Sequence, residues 1–200
     1  MKEPRLLLFD LGNVLVRVVP DRFSKSLGLD TQESRNRYGE GVREVTNLYE
    51  AGKCSTEEYF RSLGSYFGNR FTAQELEHAF SSVLTDPIPG MERLVRIATE
   101  RLPSALVSNT NPFHFTSVLP RITALRYLPK RYLSYELGVI KPLPEFYQHV
   151  VRAETVKPSE MLFIDDIEEN VKSAEQAGMM GYLFRDAAGL EHELVKLGVL

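Results

Sequence analysis

The stretch LLLFDLGNVLV, residues 6–16, contains an apolar run that ends in a single acid, Asp10. A continuous apolar run is typical of a strand that is buried on both faces of a parallel sheet. In open α/β sheets, ligands bind beyond the carboxyl ends of such strands. The stretch therefore predicts a central strand that presents a carboxylate at its ligand-binding end.

The composition bounds the class of protein. Of the 200 residues, 43% are hydrophobic, which suffices for one ordinary domain with a small insertion. The 24 basic and 27 acidic residues give a net charge of −3, too balanced to indicate nucleic-acid or membrane binding. A single cysteine, Cys54, excludes an intrachain disulfide and fits a reducing compartment. With no predicted signal peptide or membrane span, we expect a soluble, cytoplasmic protein, whose oligomeric state the sequence leaves open.

Apolar runs and amphipathic stretches alternate along most of the chain. The predicted strands are short buried runs, at residues 6–10, 104–109, 132–136, 161–166 and, more weakly, 182–185. The predicted helices carry apolar stripes at helical spacing, at residues 90–100, 144–154 and 167–179. This alternation predicts an α/β fold with a doubly wound parallel sheet, which is a Rossmann-like core.

The segment 17–87 interrupts this alternation, because no convincing strand occurs within it. Four helices are predicted instead, at about residues 21–28, 33–51, 56–67 and 73–84. Two of them begin with capping boxes, Ser55 with Glu58 and Thr72 with Glu75. We therefore predict a small helical cap at 17–87, inserted into a core made of 1–16 and 88–200. Such an insertion lies above the carboxyl ends of the strands.

Polar residues stand at the ends of the predicted strands. They are Asp10, the pair Ser108 and Asn109, the pair Asp165 and Asp166, and Lys141 in the loop after 132–136. Three carboxylates at about 4 Å repel by on the order of 1–4 kcal/mol per pair, and a divalent cation removes that cost. Ligation by oxygen alone favours a hard ion such as Mg²⁺. A lysine and a serine beside such an ion suit a phosphoryl group.

In this order and context, the motifs resemble those of the haloacid dehalogenase superfamily of phosphohydrolases. Asp10 matches the nucleophile of that family, and Ser108 with Asn109 matches its second motif. Lys141 matches the third motif, and Asp165, Asp166 and Asn170 match the fourth. Similarity to bacterial sugar-phosphate phosphatases of the alpha-D-glucose-1-phosphate phosphatase type is found in the segments FDLGNVLV, SNTNPFHF, YLSYELGVIKP and YQHVV.

The resemblance implies a Mg²⁺-dependent phosphatase with a small phosphate ester as its substrate, a sugar phosphate in particular. Asp10 would attack phosphorus and form an aspartyl-phosphate, which water then hydrolyses. Ser108 and Lys141 would act with it by binding the phosphate and neutralising the developing charge, beside Asn109. The metal ligands that the resemblance implies are the Asp10 side chain, the Gly12 carbonyl and Asp166, with Asp165 behind them or acting through water.

Gly12 departs from the family pattern. Most of these phosphatases carry a second aspartate there, which protonates the leaving group and later activates water. Positioned acid–base catalysis contributes roughly 10²–10⁴-fold, or about 3–5 kcal/mol of barrier. The implied metal contact survives, because it uses the backbone carbonyl. We expect a good leaving group to compensate for the missing acid, as in sugar 1-phosphates, acyl phosphates and aryl phosphates.

Several residues near the motifs are further candidates for the site. Asp21 could move toward Asp10 and supply the missing general acid, although an N-cap ahead of Phe23 is the simpler interpretation. Asn111 and His114 are candidate substrate contacts, with loop packing as the alternative. Arg17 is a third candidate substrate contact; the alternative is that its side chain simply faces solvent. Asn170 would orient the acidic residues unless it faces solvent.

Three other functions compete with the phosphatase. A dehalogenase of the same fold would use Asp10 without a metal, and the pair Asp165 and Asp166 argues against it. A phosphomutase needs the missing acid more directly. A catalytically weak binding or regulatory protein is compatible with Gly12. The joint presence of Asp10, Ser108, Lys141 and Asp166 argues against it, since a protein freed from catalysis need not keep all four.

Overall fold

A computed structural model describes residues 3–200, except for the side chain of Arg35. The strands are Leu6–Phe9 (β1), Val16–Val18 (β2), Leu84–Pro87 (β3), Ser104–Ser108 (β4), Lys130–Leu133 (β5), Met161–Asp165 (β6) and Met180–Leu183 (β7). The α-helices are Asp21–Ser26 (α1), Gln32–Glu50 (α2), Thr56–Tyr66 (α3), Ala73–Ser81 (α4), Met91–Thr99 (α5), Ser134–Leu137 (α6), Pro144–Ala153 (α7), Glu168–Gln176 (α8) and Ala187–Lys196 (α9). Short turns of other helical types occupy parts of 114–127 and 158–160.

Five parallel strands form the main sheet, in the order β5-β4-β1-β6-β7. The predicted strand at the start of the chain is its centre, paired with β4 on one side and β6 on the other. Phe9, the last residue of β1, is in register with Leu106 and Ile164, so β6 ends one residue and β4 two residues beyond it. The predicted α/β fold with a parallel sheet is therefore confirmed, and Asp10, Ser108 and Asp165 share one edge.

Both faces of the sheet are covered by helices, because successive side chains of a strand point to opposite faces. Leu7 and Phe9 face a core that α5 and α9 cover. Leu6 and Leu8 face a second core that α7 and α8 cover. This two-sided burial explains why β1, β4 and β6 read as continuous apolar runs rather than as alternating ones.

The helices α1–α4 form a separate small core of their own, rich in aromatic side chains. Tyr49 stacks on Tyr59 with ring centroids 4.4 Å apart, and Phe80 packs beside them. The two predicted capping boxes are present at the starts of α3 and α4. Phe113, from the loop after β4, packs against this cluster and joins it to the sheet.

The structure corrects three details of the sequence-based expectations. β2 and β3 pair antiparallel at the two ends of the segment where no strand was predicted. They are only three and four residues long, too short for a clear pattern. The strand predicted at 132–136 ends at Leu133, because the Ser134 hydroxyl bonds Thr110 on the neighbouring loop and α6 begins there. Asp21 is not an N-cap, since Pro20 has that position.

Within residues 3–200, no helix combines the length and the apolar character that crossing a membrane requires.

Candidate active site

The centre of the site is a buried lysine between two carboxylates. Lys141 Nζ lies 2.6 Å from Asp10 Oδ1 and 2.6 Å from Asp165 Oδ2. It also donates to the Val107 carbonyl over 3.2 Å. The three charged side chains come from β1, β6 and the loop after α6, and all are buried. The strand ends thus bring together residues from distant parts of the chain, with Asp10 and Lys141 131 positions apart.

The two oxygens of Asp165 are occupied by protein donors. Oδ1 accepts from the backbone N–H of Ile167 over 2.9 Å and from Asn170 over 3.0 Å. Oδ2 accepts from Lys141 and, again over 3.0 Å, from the amide of Asn170. Asn170 is buried rather than facing solvent. It fixes the orientation of Asp165, whose oxygens have little capacity left for a metal.

Asp166 is held from the other side of the site. It is half-buried just after β6, and its Oδ2 accepts a 3.0 Å hydrogen bond from the Asn13 amide. The Asn13 Oδ1 in turn accepts from the backbone N–H of Val18 over 3.0 Å. Asn13 has a φ of 51°, a conformation that asparagine tolerates better than most residues.

The three aspartates are arranged to accommodate a divalent cation. Asp10, Asp165 and Asp166 each offer one carboxylate oxygen, and these oxygens lie within 4.8 Å of one another. Hard divalent cations are bound by such oxygen ligands. Since the oxygens of Asp165 are already engaged, Asp10 and Asp166 are the better direct ligands among the three. The cluster of carboxylate oxygens therefore fits a Mg²⁺ ion.

Burial and charge shift the pKa values of the central groups. Burial raises the pKa of Asp10 to about 7, with a further rise from Asp165, while Lys141 opposes the shift. For Lys141, burial lowers the pKa, but the two neighbouring carboxylates outweigh it and raise the pKa overall. Burial also raises the pKa of Asp166, against the hydrogen bond from Asn13. A cation bound here would stabilise the charged carboxylates.

The second predicted motif links the loop after β4 to the loop that carries Lys141. The Asn109 amide donates to the Lys141 carbonyl over 3.0 Å, and its Oδ1 accepts from the Lys141 N–H over 2.8 Å. Ser108 is buried at the end of β4, where its hydroxyl donates to the Asn109 carbonyl over 3.2 Å. Asn109 is therefore a brace between the two loops, a role that the sequence did not indicate.

Gly12 lies beside the carboxylate of Asp10. A Cβ atom built on Gly12 would lie 3.8 Å from Asp10 Oδ2 and 3.1 Å from a methyl group of Val18. A longer side chain at this position would therefore sit next to the carboxylate and press on Val18. With glycine there, that place next to Asp10 carries no acid.

The other candidate contacts are placed differently. His114 is buried, its Nε2–H donates to the Phe80 carbonyl over 2.9 Å, and its ring stacks on the Phe80 ring. Burial lowers its pKa to about 4, so the imidazole is neutral. Asn111 is buried and bonds both the ring and the backbone N–H of His114. Arg17 is exposed on β2, and Asp21 is exposed at the start of α1.

A cavity of about 520 Å³ lies between the helices α1–α4 and the loops at the strand ends. Leu11, Gly12, Asn109 and Thr110 line it from the sheet side. Most of the rest of its wall is apolar, and it includes Phe23, Tyr38, Val42, Tyr59, Phe67 and Phe80. Its volume lies within the range of small-molecule sites.

One carboxyl group on the wall of this cavity was missed by the sequence-based reasoning. It belongs to Glu50, the last residue of α2. Burial raises the pKa of Glu50 to about 7, while the Asn111 amide and the charge of Lys141 oppose the shift. In the sequence, Glu50 is one acid among several on a helix with many charges. Only its position against the loops at the strand ends distinguishes it.

Comparisons with known proteins agree with this geometry. The chain is 28% identical to D-ribitol-5-phosphate phosphatase of Bacteroides thetaiotaomicron, over 94% of this chain and 95% of that protein. It is 26% identical to a sesquiterpene phosphatase of Aspergillus oryzae, over 95% and 94%. A haloacid dehalogenase family enzyme of B. thetaiotaomicron, in complex with magnesium and inorganic phosphate, superposes with a TM-score of 0.78. That match has 27% identity and covers 92% of this chain and 95% of the other.

The family model for haloacid dehalogenase-like hydrolases matches residues 4–178, which include every residue of the acidic cluster and Lys141. The chain belongs to the haloacid dehalogenase-like hydrolases.

Proposed function

We propose that this protein is a Mg²⁺-dependent phosphatase that acts through an aspartyl-phosphate on Asp10. One observation carries the proposal: the Asp10 carboxylate lies beside a buried lysine and within 4.8 Å of two further carboxylates. An anionic nucleophile approaches a phosphate dianion only where cations screen both. The site offers one fixed cation, Lys141, and the ligands for a second.

The metal would be held by the Asp10 side chain, the Gly12 carbonyl and Asp166. Asp165 would act from behind them, because Lys141, Ile167 and Asn170 already bond its oxygens. When bound, Mg²⁺ would screen the repulsion between the carboxylates and the substrate phosphate. The relative whose structure holds magnesium and phosphate supports this assignment.

Asp10 would attack phosphorus, and the ester oxygen would leave with the rest of the substrate. Ser108 and Lys141 would bind the transferred phosphate oxygens, the serine by its hydroxyl and the lysine by its charge. Asn109 would brace Lys141 through its backbone, and Asn170 would orient Asp165. We assign Asn111 and His114 to the wall of the substrate cavity, and Arg17 to its outer rim, as substrate contacts to be tested.

Residues 17–87 would serve as the cap over this site, and 1–16 with 88–200 as the catalytic core. The short β2–β3 pair lies at both junctions, which suits it as the connection on which a cap could move. The lone cysteine, Cys54, supports a cytoplasmic location, and the net charge of −3 argues against a nucleic-acid partner.

The test is a phosphatase assay of the wild type and Asp10→Asn, with and without Mg²⁺. The substrates are p-nitrophenyl phosphate, acetyl phosphate and a panel of sugar phosphates. We expect metal-dependent phosphate release that the Asp10→Asn change abolishes and that the exposed Asp21→Asn change leaves intact. If Mg²⁺ binds but no substrate turns over, the catalytically weak binding or regulatory function becomes the better interpretation.

A small sugar phosphate is the substrate class that the sequence resemblance implies. The relative that is named D-ribitol-5-phosphate phosphatase supports a polyol or sugar phosphate. If the substrate is a sugar phosphate, the rate of phosphate release should depend on which sugar the substrate carries. Sugar 1-phosphates should be among the fastest because of their better leaving group.

The wall of the cavity favours a second candidate substrate class, a phosphate ester with an apolar leaving group. Hydroxyl groups of a sugar would find few polar partners among Phe23, Val42, Phe67 and Phe80, and unpaired polar groups are costly to bury. The sesquiterpene phosphatase among the relatives acts on such a compound by its name. Competition between farnesyl monophosphate and ribitol 5-phosphate distinguishes the two classes. A charge introduced by Val42→Glu should impair only the apolar substrate.

A further inference from the structure

The proposed phosphatase lacks an obvious source for the proton that its leaving group needs. Gly12 offers no acid, although the space next to it borders the Asp10 carboxylate. An alkoxide is a poor leaving group unless it is protonated as the bond to phosphorus breaks. A proton donor must therefore come from another part of the substrate cavity.

We propose that Glu50 is a catalytic residue that donates this proton from the cap side of the cavity. The inference rests on the proposed phosphatase function and goes beyond it by naming the acid. Among the described residues that line the cavity, Glu50 is the one carboxylic acid. The cavity wall as a whole is mostly apolar, an environment in which carboxyls stay protonated near neutral pH.

The helix end that carries Glu50 is docked on the core at both of its sides. On one side, the Tyr49 hydroxyl accepts a 3.1 Å hydrogen bond from the backbone N–H of Phe113. On the other side, Gly52 packs so closely on the Tyr135 carbonyl that a Cβ would clash. Glu50 lies between these two contacts, so its carboxyl is positioned relative to the strand-end loops rather than moving freely with the cap.

The cavity places Glu50 opposite the sheet side of the site, because Gly12, which borders the Asp10 carboxylate, lines the same cavity. The Asn111 amide and the charge of Lys141 both oppose the rise in the pKa of Glu50. Lys141 is itself 2.6 Å from Asp10. Glu50 thus shares a cavity with Gly12, the position next to the nucleophile where the family carries its acid.

The titration of Glu50 suits an acid that works near neutral pH. Burial raises its pKa to about 7, and the groups that face it, Asn111 and Lys141, oppose the shift only in part. The Tyr59 hydroxyl is close enough to sense the charge of Glu50, and Arg43 lines the same cavity from α2. The metal ligands Asp10 and Asp166 are not among the groups that shift the pKa of Glu50.

The alternative donors are placed less well. His114 has partners at both ring nitrogens, and burial lowers its pKa to about 4, which leaves it without a proton to give at neutral pH. Asp21 is exposed and does not line the cavity. Glu50 combines a position on the cavity wall with an available proton.

The proton balance is complete with these groups. As Asp10 forms its bond to phosphorus, the bond from phosphorus to the ester oxygen breaks, and that oxygen takes the proton of Glu50 and leaves as an alcohol. The Glu50 carboxylate then accepts a proton from the water that attacks the aspartyl-phosphate. Inorganic phosphate departs, and both Asp10 and Glu50 return to their starting states.

The experiment is a rapid-quench measurement of leaving-group release in Glu50→Gln, with Glu44→Gln, an exposed acid on the same helix, as the matched control. An alkyl phosphate and p-nitrophenyl phosphate are compared. We expect the first-turnover rate on the alkyl ester to fall roughly 10²–10⁴-fold. The rate on p-nitrophenyl phosphate, whose leaving group needs no proton, should change far less. Glu44→Gln should match the wild type on both.

Two further readouts separate a proton donor from a structural role. The wild-type rate on the alkyl ester should decline above about pH 7 as Glu50 loses its proton, and Glu50→Gln should lack that limb. Glu50→Asp should restore part of the alkyl rate and the pH limb. Equal losses on both substrates, or no loss on the alkyl ester, would overturn the assignment of Glu50. Failure of the phosphatase function is distinguishable, because the wild type would then turn over neither substrate.

Discussion

The Asn13 side chain donates a 3.0 Å hydrogen bond to Asp166, 153 positions later in the chain, and thereby ties the loop after β1 to the loop after β6. The same side chain accepts from the N–H of Val18. Asn13 therefore fixes the orientation of Asp166, which with Asp10 is one of the two carboxylates best placed to bind a metal directly.

The first prediction concerns metal affinity. Asn13→Ala should weaken Mg²⁺ binding by roughly 10–100-fold, because residues that orient ligands contribute this much to affinity. Isothermal titration with Mg²⁺ measures it. Asn69→Ala is the matched control, since Asn69 is exposed in the turn after α3 and shares the positive φ, 56° against 51°. Equal Mg²⁺ affinities in the two variants would contradict the role of Asn13.

The second prediction concerns the buried lysine. Lys141→Met should lower the free energy of unfolding by about 3–5 kcal/mol at pH 8, because it leaves Asp10 and Asp165 without their cation. The loss should shrink at pH 5, where the carboxyls can take up protons. Urea denaturation at the two pH values measures both effects. Lys172→Met removes only an exposed pair with Glu168 and should cost less than about 1 kcal/mol.

The third prediction concerns pH and His114. Its folded pKa is about 4, whereas the unfolded value is 6.5, so the unfolded chain binds the extra proton between these values. Stability should therefore fall as the pH drops from about 6.5 to 4, by up to about 3 kcal/mol from this group. Asp10 and Glu50 have raised pKa values in the folded protein, so their contribution to stability increases as the pH drops over this range. Subtracting the pH dependence of His114→Gln from that of the wild type isolates the histidine. If the difference in free energy of unfolding between the two proteins does not vary with pH, the lowered pKa of His114 is contradicted.

The fourth prediction concerns the contact between the turn after α2 and helix α6, where Gly52 packs on Tyr135. Gly52→Ala should destabilise the protein by more than about 1 kcal/mol, because the new methyl group meets the Tyr135 carbonyl in addition to the strain of a φ of +65°. Thermal unfolding measures it. Gly28→Ala is the control, since its φ is also +65° and nothing lies within 4 Å of the added Cβ. If both variants lose the same stability, the contact with Tyr135 contributes nothing.

The parallel sheet, the acidic strand ends and the run of helices after the first strand could all be predicted from the sequence. These features depend on local patterns, because buried strands need continuous apolar runs and each motif lies at the end of one strand. The capping boxes of α3 and α4 could be predicted for the same reason, since each joins residues three positions apart.

Which polar groups contact one another could be seen only in the folded protein. The engagement of Asp165 by Lys141 and Asn170, the bond from Asn13 to Asp166 and the position of Glu50 in the cavity all depend on how separate segments pack. The pairing of β2 with β3 joins residues about 70 positions apart in strands too short to show a pattern. Local sequence carries no record of such contacts, because burial and hydrogen bonding across segments are set only when the chain has folded around them.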